Sequence, residues 1–309
     1  GAEKRRYIKR GIISSIALSF VGLALATEMV ILLYYVNEIN VVAFWDWIMP
    51  YGAISFFSIF VCIIMAIFSV RRSRIQPGAI LFAIICLLWS MNNFQDVLLV
   101  IFPEDIAIQA AVLNDSFLVT LAGFLAHLIY IQTGKPRSRF IYAFYGISFT
   151  LLPLILFQTH SSHTIYHYPS GPFIKAEGVV YDLFALELLA VLVLGAIRGG
   201  RLSRSAADPV ARHQAQYLLT AAILAILMLF GTIPCMYGIP FYPFQQLIFI
   251  PFMLIAYGLY YNSILSVHTR RTIIARLVRA LLIFSYIIIA ILTSWVLKDY
   301  SGSYILDKM

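Results

Sequence analysis

Long apolar stretches follow one another along almost the whole chain, and short segments that hold most of the charges separate them. A hydrocarbon core of about 30 Å takes about 20 apolar helical residues to cross, so the pattern predicts spanning helices. Nine are expected, near 11–35, 49–70, 78–101, 108–132, 140–158, 178–198, 214–237, 243–265 and 276–297. Barrel strands would alternate over about ten residues; these runs do not alternate, and Pro and Gly gather at their ends. A helix also satisfies its backbone polar groups within the segment, as lipid requires. The expected fold class is an all-α polytopic membrane protein.

Composition agrees. Of 309 residues, 61% are hydrophobic and 12% charged, against roughly 25% charged in soluble chains, and the mean hydropathy is +0.89. The formal net charge of +8 does not point to nucleic acid, because basic clusters beside spanning helices mark the cytoplasmic face first. Five bases precede the first span (Lys4, Arg5, Arg6, Lys9, Arg10), and three follow the second (Arg71, Arg72, Arg74). Three follow the fourth (Lys135, Arg137, Arg139), four the sixth (Arg198, Arg201, Arg204, Arg212) and four the eighth (Arg270, Arg271, Arg276, Arg279). The opposite side holds Lys175, Lys298 and Lys308. The positive-inside rule then predicts a cytoplasmic N-terminus and an extracytoplasmic C-terminus. The first span reads as an uncleaved anchor, since its apolar run continues past Ala24 and Ala26. Cys62, Cys86 and Cys235 all fall inside spans and read as small core residues. No connection is long enough for a separate soluble domain.

Five acids fall within spans: Glu28, Asp96, Asp115, Asp182 and Glu187. Ionisable groups at such depth are costly and usually face a bundle interior or a wet cavity. Asp96, Asp115 and Asp182 are expected near the outer ends of their helices, Glu28 in an outer half, and Glu187 near mid-membrane. At the helical period Trp89, Asn92, Asn93 and Asp96 form one stripe, and it must face protein or water. The functional reading is a polar cavity open to the outer side between the third, fourth and sixth spans. Trp89, Asn92, Asn93, Asp96, Asp115, Asp182 and Glu187 are its candidate ligand-binding residues. The competing reading is interhelical hydrogen bonding that fixes packing.

The outer loop between the fifth and sixth spans carries His160, His163 and His167, at spacings of three and four. Three neutral imidazoles could ligate zinc or copper. A solvated interfacial loop rich in His and Tyr is the simpler reading, so neither a metal nor a cofactor is expected. His127 and His213 lack the supporting small residues of a haem site. Gly199-Gly200 reads as part of an Arg-rich turn. No Walker loop, GxSxG or HExxH stands in the chain, and no catalytic residue is assigned.

Four stretches carry a resemblance: LLWSMNNF (87–94), FLAHLIYIQTGKPR (124–137), ARHQAQYLL (211–219) and IPFYPFQQLIFIPFMLIAYGLYYNSILSV (239–267). With a Gly-Pro turn at Gly171-Pro172, they resemble the seven-helix sensor region found N-terminal to bacterial histidine kinases. Related regions precede membrane nucleotide cyclases and sporulation-type serine phosphatases. The resemblance covers roughly 49–268. It divides the chain into a basic arm, anchor helix and outer loop (1–48), a seven-helix sensor-like bundle (49–268), and a further helix with an outer tail (269–309). It implies a receptor module of a bacterial cytoplasmic membrane that binds a small ligand, lipid or ion from the extracytoplasmic side and signals to a cytoplasmic effector, in cis or on a partner subunit. It transfers no binding residue; Trp89 is the nearest match.

Two other function classes stand beside the receptor. An accessory subunit of a larger membrane complex would suit the 15% aromatic content. A transporter or channel would use the intramembrane acids, although the two halves show no repeat or paired broken helices. Membrane lipids are expected partners, and a second copy in a homodimer is a further candidate.

Overall fold

A computed structural model of the chain describes residues 52–73, 78–135, 138–157, 163–168, 171–176, 178–239 and 244–265. Eight α-helices, one two-stranded hairpin and one 3-10 turn make up these residues. In order they are α1 (Ala53–Arg72), α2 (Ala79–Ile101), α3 (Glu104–Leu118), α4 (Leu121–Gln132) and α5 (Arg139–Leu156). The hairpin strands β1 (His163–Tyr168) and β2 (Gly171–Ala176) follow, then α6 (Val179–Ser205), α7 (Pro209–Met236), the 3-10 turn Phe244–Leu247 and α8 (Phe249–Leu265).

Six helical segments are long and apolar enough to cross a membrane, with α3 and α4 together forming one of them, Glu104–Gln132; Phe244–Tyr260 is a shorter apolar helix. This is the architecture of a helical membrane protein. The six segments correspond to the second to seventh expected spans, and the shorter helix to the eighth. The first and ninth spans, with Glu28 and His160, lie outside the described residues.

Local chemistry sets the helix ends. Asp208 caps α7 by accepting hydrogen bonds from the Val210 and Ala211 amides, with Pro209 in the first turn. Glu104 and Asp105 open α3, where carboxylates complement the helix dipole. Two sequence expectations change here. α3 begins at Glu104 instead of 108, which sets Asp115 eleven residues in, about 16 Å from the helix start at 1.5 Å per residue. α6 continues to Ser205, so Gly199-Gly200 is helix and not a turn.

The helix extension matters for packing. A Cβ on Gly199 would lie 3.0 Å from the Leu219 amide nitrogen and 3.1 Å from the Ala215 carbonyl oxygen of α7. Gly195, one turn earlier, would meet Ile129 at 3.0 Å and Ala222 at 3.6 Å. Gly199 thus lets α6 approach the α7 backbone, as small residues do in membrane helix pairs, while Gly195 makes room for the Ile129 side chain of α4.

Arg71, Arg72, Lys135, Arg139, Arg198, Arg201, Arg204 and Arg212 mark one end of the bundle. The hairpin, Glu104 and Asp105 mark the other. At the arginine end Arg198 Nε donates to Thr133 Oγ1 at 2.8 Å, and its guanidinium lies 4.1 Å from the Tyr130 ring centroid. The core is centred on α2 and α3–α4, whose spanning windows are 72% and 78% buried; those of α6 and α7 are 33% and that of α5 is 22%.

The hairpin corrects the sequence reading, which expects a loop with a turn at Gly171-Pro172. Those two residues open β2, opposite Tyr168 and His167. Thr164, Tyr166 and Tyr168 at alternating positions, with the β-branched Ile165, suit a strand.

Candidate functional site

Beneath the hairpin lies a cavity of about 290 Å³. Its two sides differ in kind. Trp89, Asn92, Gln95 and Asp96 of α2, with Asp115 and Leu118 of α3, form the polar side. Tyr181, Phe184, Ala185, Leu188 and Leu189 of α6, with Leu229, Phe230 and Ile233 of α7, form the apolar side. Thr232 and Gln245 close one edge, and Phe173, Ile174 and Lys175 of β2 cover the top.

The α6 residues recur at i, i+3, i+4, i+7 and i+8, one face of a helix. On α2 the lining face is centred differently from the expected stripe. Asn92, Gln95 and Asp96 follow Trp89 at i+3, i+6 and i+7, about 60°, 120° and 20° short of whole turns at about 100° per residue, so all three fall on the same side of it. Asn93, at i+4, overshoots one turn and falls on the other side. Gln95 therefore replaces Asn93 on the cavity wall. Asn93 is buried, and its Nδ2 donates to the Trp89 carbonyl at 2.9 Å.

Hydrogen bonds hold the polar side in shape. Asp96 Oδ2 accepts from Ser55 Oγ of α1 at 3.0 Å and from Gln246 Nε2 of the 3-10 turn at 2.8 Å. One carboxylate thus joins three elements, across 150 positions of sequence in the longer case. Asn114 Nδ2 donates to Gln95 Oε1 at 2.9 Å and to the Met91 carbonyl at 3.2 Å, locking α3 to α2 beside Asp115. Trp89 meets Phe252 of α8 edge-on, with ring centroids 6.0 Å apart. Its indole N–H is buried with no hydrogen-bond partner.

The cover is tethered on two sides. Tyr168 donates its hydroxyl to the Cys235 carbonyl of α7 at 2.7 Å, and His167 Nε2 lies 2.9 Å from Glu104 Oε1 at the start of α3. Thr232 Oγ1 accepts from the Gln245 amide at 2.9 Å, which fixes the 3-10 turn against α7. Gly231 makes room for this turn, since a Cβ there would lie 2.6 Å from the Phe244 ring.

The expected site residues separate accordingly. Trp89, Asn92, Asp96 and Asp115 line the cavity. Asp182 is exposed on α6 and does not. Glu187 is buried but faces α5, where Ser148 Oγ donates to its Oε1 at 3.0 Å; its Oε2 has no partner. Sequence reasoning misses Gln95, Thr232 and Gln245. Gln95 lies in the polar run and is readable there, whereas the other two reach the cavity only through tertiary packing.

Among the described residues no three His, Cys, Asp or Glu side chains gather to hold a metal. His167 is engaged with Glu104, and β1 pairs His163 with Ala176 of β2. His127 Nδ1 lies 3.0 Å from the Tyr145 hydroxyl, and His213 Nδ1 lies 3.1 Å from Gln216 Oε1. Comparison with known proteins found no matching family model, curated protein or solved structure.

Proposed function

We propose that this chain is a sensory receptor module of a bacterial cytoplasmic membrane, which binds a small ligand in the cavity beneath the hairpin and signals to a cytoplasmic effector. The cavity itself carries the reading: a two-sided pocket with buried polar groups held in place from α1, α2, α3 and the 3-10 turn. Ligand sites combine apolar walls with a few positioned polar groups in this way. The charge asymmetry supports an orientation with the hairpin end outside and the arginine end in the cytoplasm. The resemblance to the sensor regions of histidine kinases supports the receptor class, with nine spans in all and the effector in cis or on a partner subunit.

Signalling requires a ligand with different affinity for two bundle arrangements. The cavity lies between α2–α3 and α6–α7. A ligand that changes the spacing of these pairs at the hairpin end tilts α6 and α7 together, because Gly199 holds them in close contact nearer the arginine end. Their cytoplasmic ends, with Arg201, Arg204 and Arg212, then present a changed surface to the effector.

The test is a chromosomal Ala185→Trp variant, which fills the cavity from its lipid-exposed rim, compared with a deletion and the wild type by transcript profiling. A receptor predicts that the variant changes the same transcripts as the deletion while present at wild-type abundance in the membrane. An accessory subunit predicts wild-type transcripts and an intact copurifying complex, and that result would overturn the receptor reading.

A further inference from the structure

We infer that the occupant of the cavity is an uncharged, single-chain amphiphile whose small head both donates and accepts hydrogen bonds, as a carboxamide does. The inference rests on reading the cavity as a ligand site. It follows from which polar groups of the wall already have partners and which do not.

The charged groups are engaged. Asp96 accepts from Ser55 and Gln246. The Lys175 ammonium lies 5.7 Å from the Tyr237 ring centroid, and Asp115 and Lys175 each make an interaction besides. A charged head entering here would give up its hydration beside an apolar wall. No unengaged counter-charge on that wall would compensate the loss.

The groups left over are carboxamides. Asn92 of α2 and Gln245 of the 3-10 turn line the cavity, and neither side chain has a hydrogen-bond partner among the described residues. Both are partly buried, and none of their amide atoms is sealed off as the Trp89 indole nitrogen is. Gln95 adds a donor: its Oε1 is taken by Asn114, and its Nε2 has no partner among the described residues. The fold sets these amides at one corner. Asn92 stands one helical turn before Asp96, and Gln245 precedes Gln246, which donates to that same Asp96.

The opposite wall is apolar, with Phe184, Leu188 and Leu189 on α6 and Leu229, Phe230 and Ile233 on α7. Burial against it favours a hydrocarbon chain. A hydrocarbon alone would strip water from the amides and replace none of their hydrogen bonds, whereas a head that donates and accepts replaces them. Volume sets the size. At about 290 Å³ the cavity stands at the small end of ligand pockets, roughly 300–1,000 Å³, so a small head with one short chain fits and a two-chain lipid does not.

The experiment uses the full chain in lipid nanodiscs at neutral pH and four probes measured by titration calorimetry against empty nanodiscs: octanamide, octylammonium, octanoate and acetamide. Saturable binding is expected for octanamide alone. Asn92→Leu should weaken it about tenfold and Gln245→Met about fivefold, because the head loses hydrogen bonds while the side-chain size is kept. Octylammonium or octanoate binding as tightly as octanamide would overturn the uncharged head. Acetamide binding as tightly would overturn the need for a chain. Octanamide binding that both variants leave unchanged would overturn the amide corner as the head site, and saturable binding by none of the four would overturn the ligand class. The Ala185→Trp transcript test is separate. Octanamide binding to the wild type together with wild-type transcripts in that variant would retain the ligand and sink the receptor; altered transcripts without octanamide binding would do the reverse.

Discussion

The two sides of the cavity are built from the same kind of element and obey opposite rules. α2 and α3 sit at the centre of the bundle and direct polar groups at one another and at their neighbours: Gln95 meets Asn114, and Asp96 meets Ser55 and Gln246. α6 and α7 are less buried and meet through an absent side chain, with Gly199 allowing contact with the α7 backbone. In lipid, apolar surface gains little by turning inward, so helices associate through close packing and through hydrogen bonds. Within each helix pair this molecule uses a different device: hydrogen bonds between α2 and α3, and close packing between α6 and α7. A cavity survives at their junction because neither device fills it.

The sharpest way to break the contrast is Gly199→Leu. No flexible neighbour can yield there, since the nearest atoms belong to the α7 backbone. Overpacking costs about 1–3 kcal/mol even in cores that adapt, and a larger loss is expected here, read as failure to recover folded monodisperse protein. Gly231→Leu is the milder counterpart, because the atom in the way is the Phe244 ring. Thermal unfolding should show a loss near the lower end of about 1–3 kcal/mol.

Next in size is the polar side. A double-mutant cycle of Ser55→Ala and Asp96→Asn should give a coupling of about 0.6–1.7 kcal/mol in unfolding free energy, between the average and the maximum found for interhelical hydrogen bonds in membranes. A coupling near zero would mean that packing alone holds α1 to α2. Ser148→Ala at Glu187 should cost about 0.6 kcal/mol by the same measure, since one donor is removed from a carboxylate whose second oxygen already has no partner. The smallest effect belongs to Leu227→Ala, on the outward, exposed face of α7. A change within about 0.5 kcal/mol is expected for such a site, and a larger one would place a protein partner on that face.

Much of this architecture is legible in the chain alone. The expected spans from 49–70 to 214–237 fall on the six membrane-length segments, and the polar run from Trp89 to Asp96 lies in the helix that supplies most of the cavity's polar side. The departures share a cause. A period gives relative angles, not which angle faces which neighbour, so it groups Asn93 with the stripe and omits Gln95. Arginines after Gly199 suggest a turn, whereas the helix runs on with its small residue against α7. The hairpin resembles a loop because six-residue strands carry too short an alternation to stand out in a Tyr-, His- and Ser-rich segment.

Apolar run length, charge position and helical period are local quantities, so the amino-acid order by itself determined a helical membrane architecture, its segments and its polar helix. Whether a buried acid joins a cavity or a packing contact depends on what stands opposite. Asp96 meets Gln246 across 150 positions of chain and lines the cavity, while Glu187 meets Ser148 and does not. Only the tertiary structure decided that difference, because partners so far apart in sequence are chosen by how whole helices rotate and pack, and no local pattern encodes that rotation.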